Sequence, residues 1–137
     1  MRCFYSEDFE LELPPEHPFP MQKFRVSKDM LIEGGILAPE DIVEVREVAP
    51  HLLRQVHDFQ YLERIYRGQL DPKEQIRLGL PVTPRLYQRS ATEVEATRQA
   101  CHAALIEGVA WWRAGGRHHA FRDHVGGCWV FNAVVVA

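Results

Sequence analysis

The run SATEVEATRQACHAALIEG at residues 90–108, VAWW at 109–112 and RAGGRHH at 113–119 joins a helix, a strand and a glycine loop without interruption. Ser90-Ala91-Thr92-Glu93 has the spacing of a capping box and predicts the start of the longest helix in the chain. Val94, Thr97, Cys101 and Leu105 form its apolar stripe, Ala100 and Ala104 permit close approach, and Gly108 ends it. Val109-Ala110-Trp111-Trp112 then reads as a buried strand, with the two tryptophans on opposite faces. The strand empties into Gly115-Gly116-Arg117-His118-His119. A helix feeding directly into a strand is half of a βαβ unit, so this run points to a parallel α/β sheet.

The preceding residues extend that pattern. Cys3-Phe4-Tyr5 predicts a first strand, and Ile42-Val43-Glu44-Val45 a second. Between them, Pro14-Pro15-Glu16-His17-Pro18-Phe19-Pro20 is an ordered, extended loop, because each proline excludes helix from its predecessor. Met21, Phe24 and Leu31 then share a helical face that stops at Gly34-Gly35. Pro50 opens a short helix carrying Leu52, Leu53 and Val56. Asp58 is placed to cap another, with Tyr61, Leu62 and Ile65 at helical spacing before Gly68. Asp71-Pro72-Lys73-Glu74 combines an N-cap, an N1 proline and a capping-box acid.

The expected architecture is therefore an incomplete three-layer parallel sheet with helices on both faces. Three strands are fewer than the roughly four to six of most sheets. Val134-Val135-Val136-Ala137 is an apolar element that needs a partner. Residues 1–137 thus read as the N-terminal portion of a single larger domain.

Composition narrows the function classes. Sixteen Lys and Arg against 19 Asp and Glu give a net charge of −3 among 137 residues. That balance offers no global attraction to nucleic acid or an anionic membrane. No apolar run approaches the ~20 residues of a membrane helix, and the acidic N-terminus does not resemble a signal peptide. Cys3, Cys101 and Cys128 form no CxxC pair or disulfide framework. A reducing, cytoplasmic setting is the expectation.

The chemistry-bearing segment is Gly115-Gly116-Arg117-His118-His119-Ala120-Phe121-Arg122-Asp123-His124. Glycines let the backbone approach a ligand closely, and ligands of open α/β sheets bind beyond the carboxyl ends of strands. Histidines placed there can act as general acid or base. Paired histidines also occur as solvated loop residues. A metal site is the rival reading, but zinc needs at least three protein ligands, consecutive side chains diverge, and HExxH is absent. His57 beside Asp58 reads either as a catalytic pair or as a residue next to a helix cap. Cys101 reads as core, and His51 and His102 as surface.

The same ten residues, followed by Gly127 and Val130-Phe131-Asn132, resemble the active-site segment of the zinc-dependent histone deacetylase family. The similarity is greatest to its bacterial, class IV-like and acetoin-utilisation branch. His17-Pro18-Phe19-Pro20-Met21 resembles the family's substrate-rim loop, Val56-His57-Asp58 with Tyr61-Leu62 a helix-opening motif, and Leu78–Pro84 with Arg89-Ser90 the approach to the long helix.

The resemblance implies an arginase-deacetylase-like fold and hydrolysis of an acetyl-lysine or a small acetylated amine by zinc-activated water. It makes His118 and His119 the tandem catalytic histidines that handle protons. Gly127, with Cys128 after it, lines the acyl tunnel, and His17 and Pro18 lie at the substrate rim. Family members place Phe, Cys and a helix-capping Asp where this chain has Cys128, Trp129 and Ala133. The tunnel-wall aromatic is therefore missing or displaced to Trp129. The zinc ligands that the resemblance implies follow the last residue of this chain. The expectation is a truncated deacetylase domain, inactive by itself. The alternative is a non-catalytic interaction module that self-associates or needs a partner at its open sheet edge.

Overall fold

Three parallel strands organise the computed structural model, which describes residues 1–113 and 117–137. Strand β1 (Arg2–Tyr5) lies between β2 (Ile42–Glu44) and β3 (Ala110–Trp111). Cys3 is in register with Ile42 on one side and Trp111 on the other. Successive strand residues point to opposite faces, and both Cys3 and Phe4 are buried. The sheet is therefore covered on both sides at its central strand, where the apolar Cys3-Phe4 pair lies.

Among the described residues, six α-helices accompany it: α1 (Lys23–Glu33), α2 (Pro50–Leu53), α3 (Phe59–Tyr66), α4 (Pro72–Leu78), α5 (Pro84–Glu107) and α6 (Ala133–Val136). Local signals explain α4 completely. The Glu74 amide donates to Asp71 Oδ1 at 2.9 Å, and the Asp71 amide donates to Glu74 Oε2 at 3.3 Å. Gly79 then turns left-handed at φ +65° and ends the helix.

Helix α5 departs from the expectation. It begins at Pro84, with Thr83 as N-cap, rather than at Ser90. Ser90 and Glu93 lie mid-helix and buried, and the Glu93 carboxylate faces Arg89 and Arg117 instead of the Ser90 amide. The predicted stripe also rotates. Val94 and Thr97 are buried, but Cys101 and Leu105 are exposed, and Ala96 and Ala103 face inward in their place. Small residues let the helix approach the sheet, so its apolar face need not carry its largest side chains.

The core gathers where a short 3-10 turn (Glu7–Phe9) follows β1. The Phe9 ring meets Tyr5 at 6.0 Å, Phe24 at 5.8 Å and Trp112 at 5.5 Å between centroids. One side chain thus joins β1, α1 and the residue after β3. Phe9→Ala removes this contact and leaves a cavity, at a cost of about 3–5 kcal/mol. A urea midpoint unchanged by that substitution would exclude this account of the core.

Candidate active site

The segment from Arg117 to Asn132 follows β3 and contains no helix and only one isolated antiparallel bridge, between Gly126 and Trp129. Its polar backbone groups must therefore find partners elsewhere. Gly115 and Gly116 lie outside the described residues. From Arg117 onward, most anchors are side chains.

Asn132 supplies several. Its Nδ2 donates to the carbonyls of His118 at 3.2 Å and Ala120 at 3.1 Å, and its Oδ1 accepts from the Val135 amide at 3.2 Å. Asn132 is thus the N-cap of α6, which is why Ala133 needs no capping side chain of its own. Its backbone amide donates to His57 Nε2 at 3.0 Å. That bond makes Nε2 the acceptor, so the neutral ring carries its proton on Nδ1, which donates to the Arg122 carbonyl at 3.3 Å. His57 is 2% exposed, and burial holds its imidazole below the ordinary value of 6.5.

His57 is therefore a neutral double latch on the histidine segment. Asp58 completes the grip. Its amide donates to the Arg122 carbonyl at 3.0 Å, and its carboxylate accepts from Arg122 Nε at 2.5 Å. Asp58 occupies the N-cap position of α3 but makes no side-chain cap bond, because Arg122 claims the carboxylate.

A tight turn closes the far side. The Gly126 amide donates to the Trp129 carbonyl at 3.0 Å, and the reverse bond is 3.2 Å. Gly127, at φ +61°, takes the left-handed position of that turn. Gly126 has a different reason to be glycine, since a Cβ there would lie 1.8 Å from the His119 carbonyl oxygen. Below the turn, the Tyr61 hydroxyl donates to the Val130 carbonyl at 2.7 Å, and Phe131 packs edge-on against Tyr87 at 5.5 Å.

These anchors bring two imidazoles and an indole together. The rings of His118 and His119 lie 4.2 Å apart, and Trp129 stacks on His119 at 4.1 Å. Both histidines are exposed. His119, Gly127, Cys128 and Trp129 line one cavity of about 500 Å³, which Arg77 and Phe121 also border. His17 lies on a different cavity, of about 410 Å³, with Phe19 and Met21. Its Nδ1 accepts from the Phe19 amide at 3.1 Å, so its Nε2 donates to the Gly79 carbonyl at 2.8 Å. Pro18 is exposed on the same loop. His124 is turned aside: it stacks on Phe121 at 4.2 Å and pairs with Asp123 at 2.6 Å, a bond that lowers the Asp123 carboxyl below its usual range.

Gly126 is a site residue that pattern reading missed, because nothing in the sequence reveals how close the His119 carbonyl will come. The weight of His57 was also missed. Its place beside Asp58, at the N-cap of α3, suggested a catalytic pair or a neighbour of the cap, not a latch. Among the described residues, no three His, Cys, Asp or Glu side chains converge as a metal would require.

A parallel α/β fold bearing two adjacent, mutually tilted imidazoles on a loop beyond a strand's carboxyl end defines the candidate site. Residues 17–137 match the Histone deacetylase domain, and the chain belongs to that family, which implies a metal ion. It is 36% identical over 133 residues to an uncharacterized protein of Picosynechococcus, covering 97% of this chain and 44% of that protein. It is 28% identical over 139 residues to the acetoin utilization protein AcuC of Bacillus subtilis, covering 89% of this chain and 34% of AcuC. An HDAC homolog solved in complex with SAHA superimposes with a TM-score of 0.74 at 21% identity, over 98% of this chain and 39% of that one. The structure of an HDAC homolog from Aquifex aeolicus gives the same values. The expected arginase-deacetylase fold is thus present. The chain spans about 34–44% of the length of these curated relatives.

Two predictions follow from the anchors. Gly126→Ala forces its Cβ into backbone, costing about 3 kcal/mol and displacing His119. Near-ultraviolet circular dichroism of Trp129 reports the displacement, and an unaltered spectrum would refute the close approach. For His57, the unfolded ring takes up a proton below its ordinary 6.5 while the folded ring resists. Stability therefore falls as pH drops through that value toward the lower native one, and levels off beneath it. Urea midpoints measured from about pH 8 to about pH 5 should show this slope, and His57→Gln should flatten it.

Proposed function

We propose that this chain is the N-terminal portion of a zinc-dependent deacetylase domain, acting on acetyl-lysine or a small acetylated amine. In this reading His118 and His119 carry the protons of amide hydrolysis. A neutral imidazole accepts a proton from the attacking water, and an imidazolium returns one to the departing amine. Gly127 and Cys128 line the acyl pocket, with Trp129 as its aromatic wall, while His17 and Pro18 form the outer rim. The observation that carries the reading is the cluster of His118, His119 and Trp129 rings, of which His119 and Trp129 stack and line a cavity, in a chain of this family. SAHA on the related structure supports a pocket of this general kind there.

The residues described here do not form a metal site by themselves. The reading therefore draws the zinc ligands from outside residues 1–137 and gives this chain alone no turnover. It also includes a cytoplasmic setting, consistent with three unpaired cysteines. A second reading, an interaction module that associates through its apolar surface, is favoured by Leu105 at 87% exposure and Ile106 at 70%. A monomeric sample that binds no hydrophobic dye would count against it.

An acetyl-lysine amide added to the labelled chain at millimolar concentration should shift the ring resonances of His118, His119 and Trp129, without releasing acetate. Unacetylated lysine amide should leave them in place. Rings indifferent to the acetyl compound would overturn the assignment of the pocket. Acetate release by this chain would overturn the placement of the metal ligands.

A further inference from the structure

Arg117 immediately precedes His118 and is only 8% exposed. Its Nη2 donates to Glu93 Oε1, on α5. Arg89 Nη2 lies 2.8 Å from the same oxygen, and Arg89 Nε donates to the Phe9 carbonyl at 2.7 Å. A line of buried side chains thus runs from the turn after β1, through the middle of α5, to the peptide unit that carries His118.

The charges along this line do not balance. At most one carboxylate charge faces two guanidiniums, since Arg stays protonated in proteins. Lys23 adds to the surplus: burial and the nearby Arg117, Arg113 and Arg89 depress its ammonium. The Arg117 Nε is, moreover, buried without a hydrogen-bond partner among the described residues, as is the Arg89 Nη2 that lies near Glu93. A surplus buried cation and an unmet donor both destabilise. Without Arg117, Arg89 and Glu93 would remain as a one-to-one pair still tied to Phe9. The fold does not need the second cation for neutrality, and violations of this kind gather where function demands them.

The need is visible in where the other anchors act. Asn132 grips the carbonyls of His118 and Ala120, His57 grips that of Arg122, and Gly126 abuts that of His119. All of them hold the segment from the His118 carbonyl onward. Arg117 holds the other side.

We propose that Arg117 is a positioning residue, clamped by Glu93 so that the backbone entering His118 is fixed and both imidazoles lie against Trp129. The proposal rests on the proton-transfer reading for the importance of those rings, but its test does not require turnover. In Arg117→Met, the thermal midpoint should stay within a few degrees of the wild type or rise. Nuclear Overhauser contacts from the His118 and His119 rings to the Trp129 indole should weaken severalfold. Arg117→Lys keeps a charge for Glu93 and should recover part of that contact. Three results would overturn the proposal: contacts unchanged in Arg117→Met, an Arg117→Met chain that no longer folds, or no recovery in Arg117→Lys. Because the readout is ring geometry, failure of the deacetylase reading would show separately, in the response to acetyl-lysine amide.

Discussion

Burying an irregular backbone is the constraint on which this molecule turns. A helix or a strand satisfies its own amides and carbonyls, but the segment from Arg117 to Asn132 has almost no ladder to do so. Each unmet buried group would cost about 1–3 kcal/mol, so side chains from distant parts of the chain converge on it. His57, Asp58, Tyr61 and Asn132 each complete a bond to this backbone. Three of the four cluster at the start of α3, which makes that helix as much a clamp as a core element. The histidine rings stay exposed while parts of their backbone are held.

The same constraint fixes protonation at His57. Only the neutral ring can accept from one amide and donate to one carbonyl, and burial favours that form. His57 and the His118–His119 pair thus divide the imidazole's properties between them. One is kept dry and neutral to hold shape. The others face solvent.

Much of the fold was legible in the sequence because its signals are local. The capping box at Asp71 and Glu74, the β-branched residues at Ile42 and Val43, and the apolar Cys3-Phe4 pair needed nothing beyond their neighbours. Ser90–Glu93 shows where local reasoning fails. Its residues match a capping box, yet Pro84 had already started the helix, and Glu93 was needed for a charge pair with a residue far along the chain. Cys101 misled for a related reason, since the face of α5 that packs is set by what crosses it. Within the site, the tandem histidines stand out by residue type, and Gly127 through the family resemblance. Gly126 could not, nor could the holding roles of Arg117 and His57, because these depend on a carbonyl, a carboxylate and an amide brought close only by the fold.

Helix α5 emerges as the ruler of the site. Arg117 reaches it through Glu93, and α6, whose first turn is capped by Asn132, packs against it as well. The two ends of the histidine segment are therefore referred to one rigid rod of 24 residues. A rod with a fixed rise of about 1.5 Å per residue transmits little slack between its anchors. Charged and small residues inside α5 then have a common explanation. Ala91, Ala96 and Ala103 bring the rod close to its neighbours, and the buried charge at Glu93 locks the segment's leading end to it. Fixing both ends to one element, while leaving the rings between them open to solvent, reconciles precise placement with exposure.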